Sequence, residues 1–167
     1  MTREKVDEML KAYRFEVGRC GHLKTEIEQL ERAIAQAMAT LDADAAAVRP
    51  QQLSDMPHGT MVGSPTERLG IMLASGWIPD DIREMQEELK AYRQEYERRY
   101  FTVLFVSAWL GGLNERERWI LEHQVIDGEF WKEVIAKFRA AFHEDTSKDS
   151  LKRLKQRALD KVYQMAE

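Results

Sequence analysis

Apolar residues recur in steps of three and four near the start of the chain: Val6, Met9, Tyr13, Cys20, Leu23, Ile27, Leu30, Ile34, Ala37 and Leu41, with Glu16 the one polar interruption. That spacing lays them along one stripe of a single long helix. Gly18 and Gly21 lie in its middle, each weakening a helix by about 1 kcal/mol relative to alanine, so a bend or break is expected there. Helical character fades by Val48, and residues 49–64 have no apolar period and several breakers, which reads as a connecting loop. Ser64-Pro65-Thr66-Glu67 supplies an N-cap, a first-turn proline and a capping box for a short helix over about 65–75 that stops at Gly76. Pro79-Asp80-Asp81 opens another helix, with acids where the macrodipole favours them. Its seam runs Ile82, Met85, Leu89, Tyr92, Tyr96, Arg99, Val103, Val106 and Leu110. Two seamed helices joined by a loop fold back as an antiparallel pair, or either pairs with a second copy. The intramolecular hairpin is favoured, and a homodimer through the same helical region stays open.

Gly111-Gly112 breaks the long helix, and three shorter elements follow. Asn114 can cap a helix beginning at Glu115, and Asp127-Gly128 is a turn signal. The segment Phe130–Phe138 is amphipathic, with apolar positions 131, 134, 135 and 138. Ser147 opens a last helix with Leu151, Leu154, Ala158, Leu159 and Val162 on its buried side. The expected class is all-α: a long helical hairpin or coiled-coil region over 1–110, then a helix-turn-helix over 111–167.

The net charge of −4 suits a nucleic-acid binder poorly until it is mapped along the chain. From Ser147 onward there are six cations and three acids, a net +3, which leaves −7 on the preceding 146 residues. With Leu151, Leu154 and Ala158 facing the core, Lys148, Ser150, Lys152, Arg153, Lys155, Gln156 and Arg157 surround the exposed face of the last helix. Lys and Arg there can bond phosphates or read guanine, and Gln156 could read adenine. Three short helices, the last one basic, is a layout that binds duplex DNA.

Other chemistry finds little support. His22, His58, His123 and His143 form no ligand pair at helical spacing, and Cys20 alone builds no thiolate site, so no metal and no cofactor are expected. Asp80, Asp81 and Glu84 cluster at a helix start, where acids belong. No catalytic triad, glycine-rich phosphate loop or carboxylate pair stands at a usable spacing, so no enzyme activity is expected. Trp119 and Trp131 are assigned to the core of a small domain. No apolar run approaches a membrane span and the charged N-terminus lacks a signal-peptide pattern, so a cytoplasmic protein without membrane contact is expected.

The stretch LNERERWILEHQVIDGEFWKEVIAKF, with SKDSLKRLKQRALDKV after it, resembles region 4 of sigma-70 family factors. Leu113, Arg116, Glu117, Arg118, Asp127, Gly128, Glu133, Ile135, Ala136, Ser147, Arg157, Ala158 and Leu159 carry the likeness. Outside it, Asp55-Met56-Pro57-His58-Gly59 followed by Ser64-Pro65-Thr66 resembles the loop of phage and prophage transcriptional regulators of the ArpU/RinA type. The resemblance implies a regulator that binds promoter DNA through its C-terminal module, with RNA polymerase as a further partner. Two other classes remain open. One is a small terminase-like DNA-packaging subunit. The other is an interaction module that binds RNA polymerase without reading DNA. One departure stands out: Arg139 to Thr146 separates the two DNA-facing helices, where 3–4 residues with a glycine are usual. Either the bracing helix runs on or the turn carries an insertion, and base-specific readout depends on which.

Overall fold

The computed structural model describes residues 1–47 and 76–167; the connecting loop 49–64 and the short helix over about 65–75 lie outside the described residues. The described chain is all-α. Helix α1 spans Arg3–Ala47, α2 Asp80–Gly111, α3 Glu115–Leu121, α4 Trp131–Phe142 and α5 Lys148–Ala166, and a wider π-type turn over Glu122–Ile126 continues α3. Packing gathers residues 1–22 with 95–167 in one compact unit and residues 23–94 in another.

The break expected at Gly18 and Gly21 does not occur, since α1 runs uninterrupted through both. Two glycines cost a helix roughly 2 kcal/mol, which side-chain packing along a seam of this length offsets. A Cβ added at either position would meet nothing within 4 Å. Gly18→Ala combined with Gly21→Ala is therefore expected to stabilise the protein by about 1–2 kcal/mol, readable as a raised urea midpoint at unchanged m-value.

In the first unit, α1 and α2 run antiparallel. Tyr13 pairs with Ser107 (3.0 Å), Glu16 with Arg99 (2.9 Å) and Arg19 with Glu95 (3.3 Å), so partners descend on α2 as numbers rise on α1. Glu16 and Arg99 are the polar members of the two seams, and the fold joins them to each other. Arg99 also holds Glu95 at 2.8 Å, so Glu16, Arg99, Glu95 and Arg19 form a chain of alternating charge. These hydrogen bonds hold the Glu95 carboxyl below its ordinary value. A slip of one residue between the helices would strand these charges, which is how a polar layer fixes register. Cys20 packs beside them and is nearly buried, which pushes its thiol pKa up. In the second unit Leu23 and Ile82 are buried, and Arg93 on α2 pairs with Glu31 on α1 at 2.7 Å.

One core binds the ends of the long helices to the C-terminal module. Val6 and Leu10 of α1, with Val106, Trp109 and Leu110 of α2, lie in a single cluster with Ile120, Leu121, Val134, Phe138, Leu151, Ala158 and Val162. Residues 111–167 therefore share one core with the start of α1 and the end of α2. Two polar ties reinforce this: the Tyr163 hydroxyl donates to Asp7 at 2.7 Å, and Arg14 pairs with Asp127 at 2.9 Å. Burial and the Asp7 carboxylate push the Tyr163 pKa up to about 12.

Candidate nucleic-acid interface

The module is built by local signals that fit its sequence. Asn114 accepts from the Glu117 backbone N–H at 2.9 Å, and the Glu117 carboxylate accepts from the Asn114 N–H at 3.3 Å, a complete capping box at the start of α3. Glu117 is the one buried charged residue among the described residues. Lys161 of α5 reaches it at 2.7 Å and so ties α3 to α5. Burial pushes the Glu117 carboxyl up, but the Lys161 and Asn114 hydrogen bonds outweigh it, and the net shift is downward from 4.5. A carboxylate depressed in the folded state stabilises above its unfolded pKa and loses that contribution as pH falls through the folded value. Glu117→Gln is therefore expected to cost about 1–2 kcal/mol at neutral pH. The gap from wild type should close as the solution is acidified below the ordinary carboxylate range, read by urea melts at a series of pH values.

Gly128 turns the chain at φ +67°, a left-handed conformation that suits glycine. Helix α4 then runs on to Phe142, one turn beyond Phe138, because Phe142 has apolar partners there. Its ring centroid lies 4.6 Å from Phe138 and 6.0 Å from Trp119, and the Arg116 guanidinium sits over its face. Trp119 also meets Phe138 edge-on at 5.3 Å. Trp119 and Trp131 are both packed against the core, as expected.

The turn between α4 and α5 is thereby cut to residues 143–147. His143, at φ 54°, adopts the left-handed conformation that a glycine supplies in shorter turns. The two acids of this turn are each neutralised: Glu144 pairs with Arg116 and Asp145 with Arg139. Ser147 caps α5 by accepting from the Ser150 N–H at 3.3 Å.

The candidate residues on α5 separate into three groups. Lys148, Arg153 and Arg157 are exposed, and among the described residues their side chains make no ion pair or hydrogen bond. Lys152 and Ser150 are exposed too, with Lys152 loosely beside Asp149 (3.9 Å) and the Ser150 hydroxyl against Ser147 (3.1 Å). Gln156 donates to Asp160 at 3.0 Å, so its amide must exchange that partner before it can reach a base edge. Ser150, Arg153, Gln156 and Arg157 line one open concave surface.

Lys155 is the exception. It donates to Gln124 at 2.8 Å and lies over the Trp131 ring, which turns it inward to the cleft beside Lys11 and away from the other six. The reason is its register: it follows Leu151 by four residues and so falls on the core-facing side of the helix.

Lys132, near the start of α4, is exposed and, like Lys148, Arg153 and Arg157, makes no ion pair or hydrogen bond among the described residues. Nothing in its spacing distinguishes it from Lys137, which Glu129 holds at 2.6 Å. Only the folded arrangement separates them.

His123, Asp127 and Glu129 come together in the turn after α3, with candidate ligand atoms within 4.8 Å of one another. Both carboxylates are already matched by cations. Asp127 is held by Arg14, and Glu129 by Lys137 together with His123 at 3.0 Å. The Lys137 and His123 bonds lower the Glu129 pKa. The cluster acts as an ion-pair clasp that joins α1 to the turn.

No helix among the described residues is long and apolar enough to cross a membrane. No protein-family model, curated protein or solved structure matches the chain.

Proposed function

We propose that α4, the turn 143–147 and α5 act as a helix-turn-helix, and that the protein is a phage or prophage transcriptional regulator that binds promoter DNA. One observation carries this reading. The cations of the module fall into a set held by carboxylates (Arg116, Arg118, Lys137, Arg139 and Lys161) and a set left free on α5 and at the start of α4. Free, exposed cations, with Arg153 and Arg157 on the face opposite Leu151, Ala158 and Val162 and Lys148 in the first turn of α5, keep their capacity for phosphate. Held cations have already spent theirs on stability. Lys148, Arg153 and Arg157 would anchor α5 in the major groove while Lys132 meets the backbone from the start of α4. Ser150 and Gln156 would face base edges.

RNA polymerase is a further partner on this reading. The alternative, a module that binds polymerase without reading DNA, draws support from Asp149 and Asp160, which share the outward side of α5 with the two arginines. The two readings part on sequence preference. A regulator binds a duplex carrying its own upstream region more tightly than a scrambled duplex of equal length at the same salt. Equal, weak binding to both would exclude base readout.

A further inference from the structure

Helix α2 is apolar all round near its end. From Tyr100 to Leu110 there is no charged residue. Val106, Trp109 and Leu110 face the core, yet Phe101 is 60% exposed, Phe105 48%, Leu104 45% and Tyr100 40%. Phe101, Leu104, Phe105 and Ala108 follow one another at three- and four-residue steps on the side opposite Val106. A single exposed apolar side chain needs no explanation, but a contiguous stripe of them marks a contact surface. The seam proper is already filled by α1, so this is a different face from the one on which a dimer seemed open from the sequence.

We propose that this outward stripe is the interface of a two-fold homodimer in which α2 packs antiparallel against α2 of a second copy. The stripe is self-complementary. A two-fold axis passing between Leu104 and Phe105 sets Leu104 against the second copy's Phe105, and sets Phe101 against the second copy's Ala108, large against small. The same operation brings Arg98 to the second copy's Gly111. Arg98 is exposed and has no ion-pair partner among the described residues. Helix α2 in turn has no basic residue in its last turn, so the negative end of its dipole meets only the backbone N–H groups of Gly112 and Leu113 and no cation of that turn. The two-fold axis pairs these features twice, and Gly111, beside which a Cβ would meet nothing within 4 Å, leaves room for the approach. Charge and shape therefore favour the same register.

The area sets the strength. At roughly 200 Å² for a fully exposed aromatic side chain, Phe101, Leu104 and Phe105 together present roughly 300 Å² per copy. The pair would bury about 600 Å² of apolar surface, with the polar rim in addition, which belongs with weak, transient interfaces. The dimer is accordingly reversible, with a dissociation constant in the micromolar range. This inference stands apart from the DNA-binding reading: a monomer can bind DNA, and a dimer can fail to.

Sedimentation velocity on the full chain over a concentration series tests it. The weight-average mass is expected to climb from 19.5 kDa toward twice that value. Phe101→Ser combined with Phe105→Ser should hold it at the monomer. Arg98→Glu should weaken association about tenfold, as loss of a charge–dipole contact and its replacement by repulsion require. Both phenylalanines lie outside the core, so circular dichroism should show the double variant folded. As a second measurement, Leu104→Cys in a Cys20→Ser background should form an inter-chain disulfide on oxidation, because residue 104 lies beside the axis. A wild-type chain that stays monomeric throughout the series, a dimer that survives the double substitution, or no cross-link through position 104 would each overturn the proposal.

Discussion

Leu10→Ala is expected to destabilise the protein by about 3 kcal/mol, a large part of the margin by which a single domain is stable. Leu10 is fully buried on α1, yet its neighbours belong to the far end of the chain: it shares a core cluster with Leu151, Ala158 and Val162 of α5. Truncating it removes apolar area and leaves a cavity that a helix pinned on both sides cannot collapse around. The consequence reaches the C-terminal module, because residues 111–167 share this core with α1 and α2. Tryptophan fluorescence, to which Trp109, Trp119 and Trp131 of this unit contribute beside the more exposed Trp77, and far-ultraviolet circular dichroism, which reports on all the helices, should shift together. Leu30→Ala, on the same helix but only half-buried, should cost no more than about half as much. A Leu10→Ala melt indistinguishable from wild type, or loss of α1 alone, would contradict the shared core.

The second large effect concerns binding. Arg153→Ala combined with Arg157→Ala is expected to weaken binding to any duplex about 100-fold at low salt, each arginine contributing roughly one phosphate or base-edge contact. The fold should be little affected, since among the described residues neither side chain makes an ion pair or hydrogen bond, and Arg157 only adds its charge to those that hold the Glu117 carboxyl down. Lys155→Ala is the informative contrast. It carries the same charge on the same helix, but Gln124 and Trp131 occupy it. Its loss should cost less than 1 kcal/mol of stability and reduce affinity only through the general field. Equal losses of affinity for Lys155→Ala and for either arginine would mean that the helix acts as a diffuse positive charge, without an oriented face.

The comparison between the chain's patterns and its fold turns on particular residues. Helices α1 and α2, the Asn114 capping box, the Asp127-Gly128 turn and the Ser147 cap were all legible, because each rests on local chemistry that the sequence carries in one place. Leu10 was not. The alternation passes through Met9 and on to Tyr13, and one residue's offset hides the fact that α1 has two neighbours near its start. The adjacent apolar pair Met9-Leu10 was the available sign of a wider buried face. Gly18 and Gly21 misled for the opposite reason, as local propensity is small beside the packing of a long seam. The turn after α4 looked too long because its left-handed residue is His143 rather than glycine, and because Phe142 finds aromatic partners across the module. On α5 the composition of the face was readable, but the sorting of cations was not. Which carboxylate reaches which lysine depends on tertiary distance, and Lys132 and Lys137 look alike until Glu129 is placed.

The most direct test of the DNA-binding reading is the dependence of affinity on salt for the wild-type protein and a duplex of random sequence. Four free cations, Lys132, Lys148, Arg153 and Arg157, each neutralising one phosphate, predict a slope of log K against log salt concentration of about −3.6. The Arg153→Ala, Arg157→Ala protein should give about half that slope. No binding at low salt, or a slope near zero, would contradict the account and turn the module toward a protein partner.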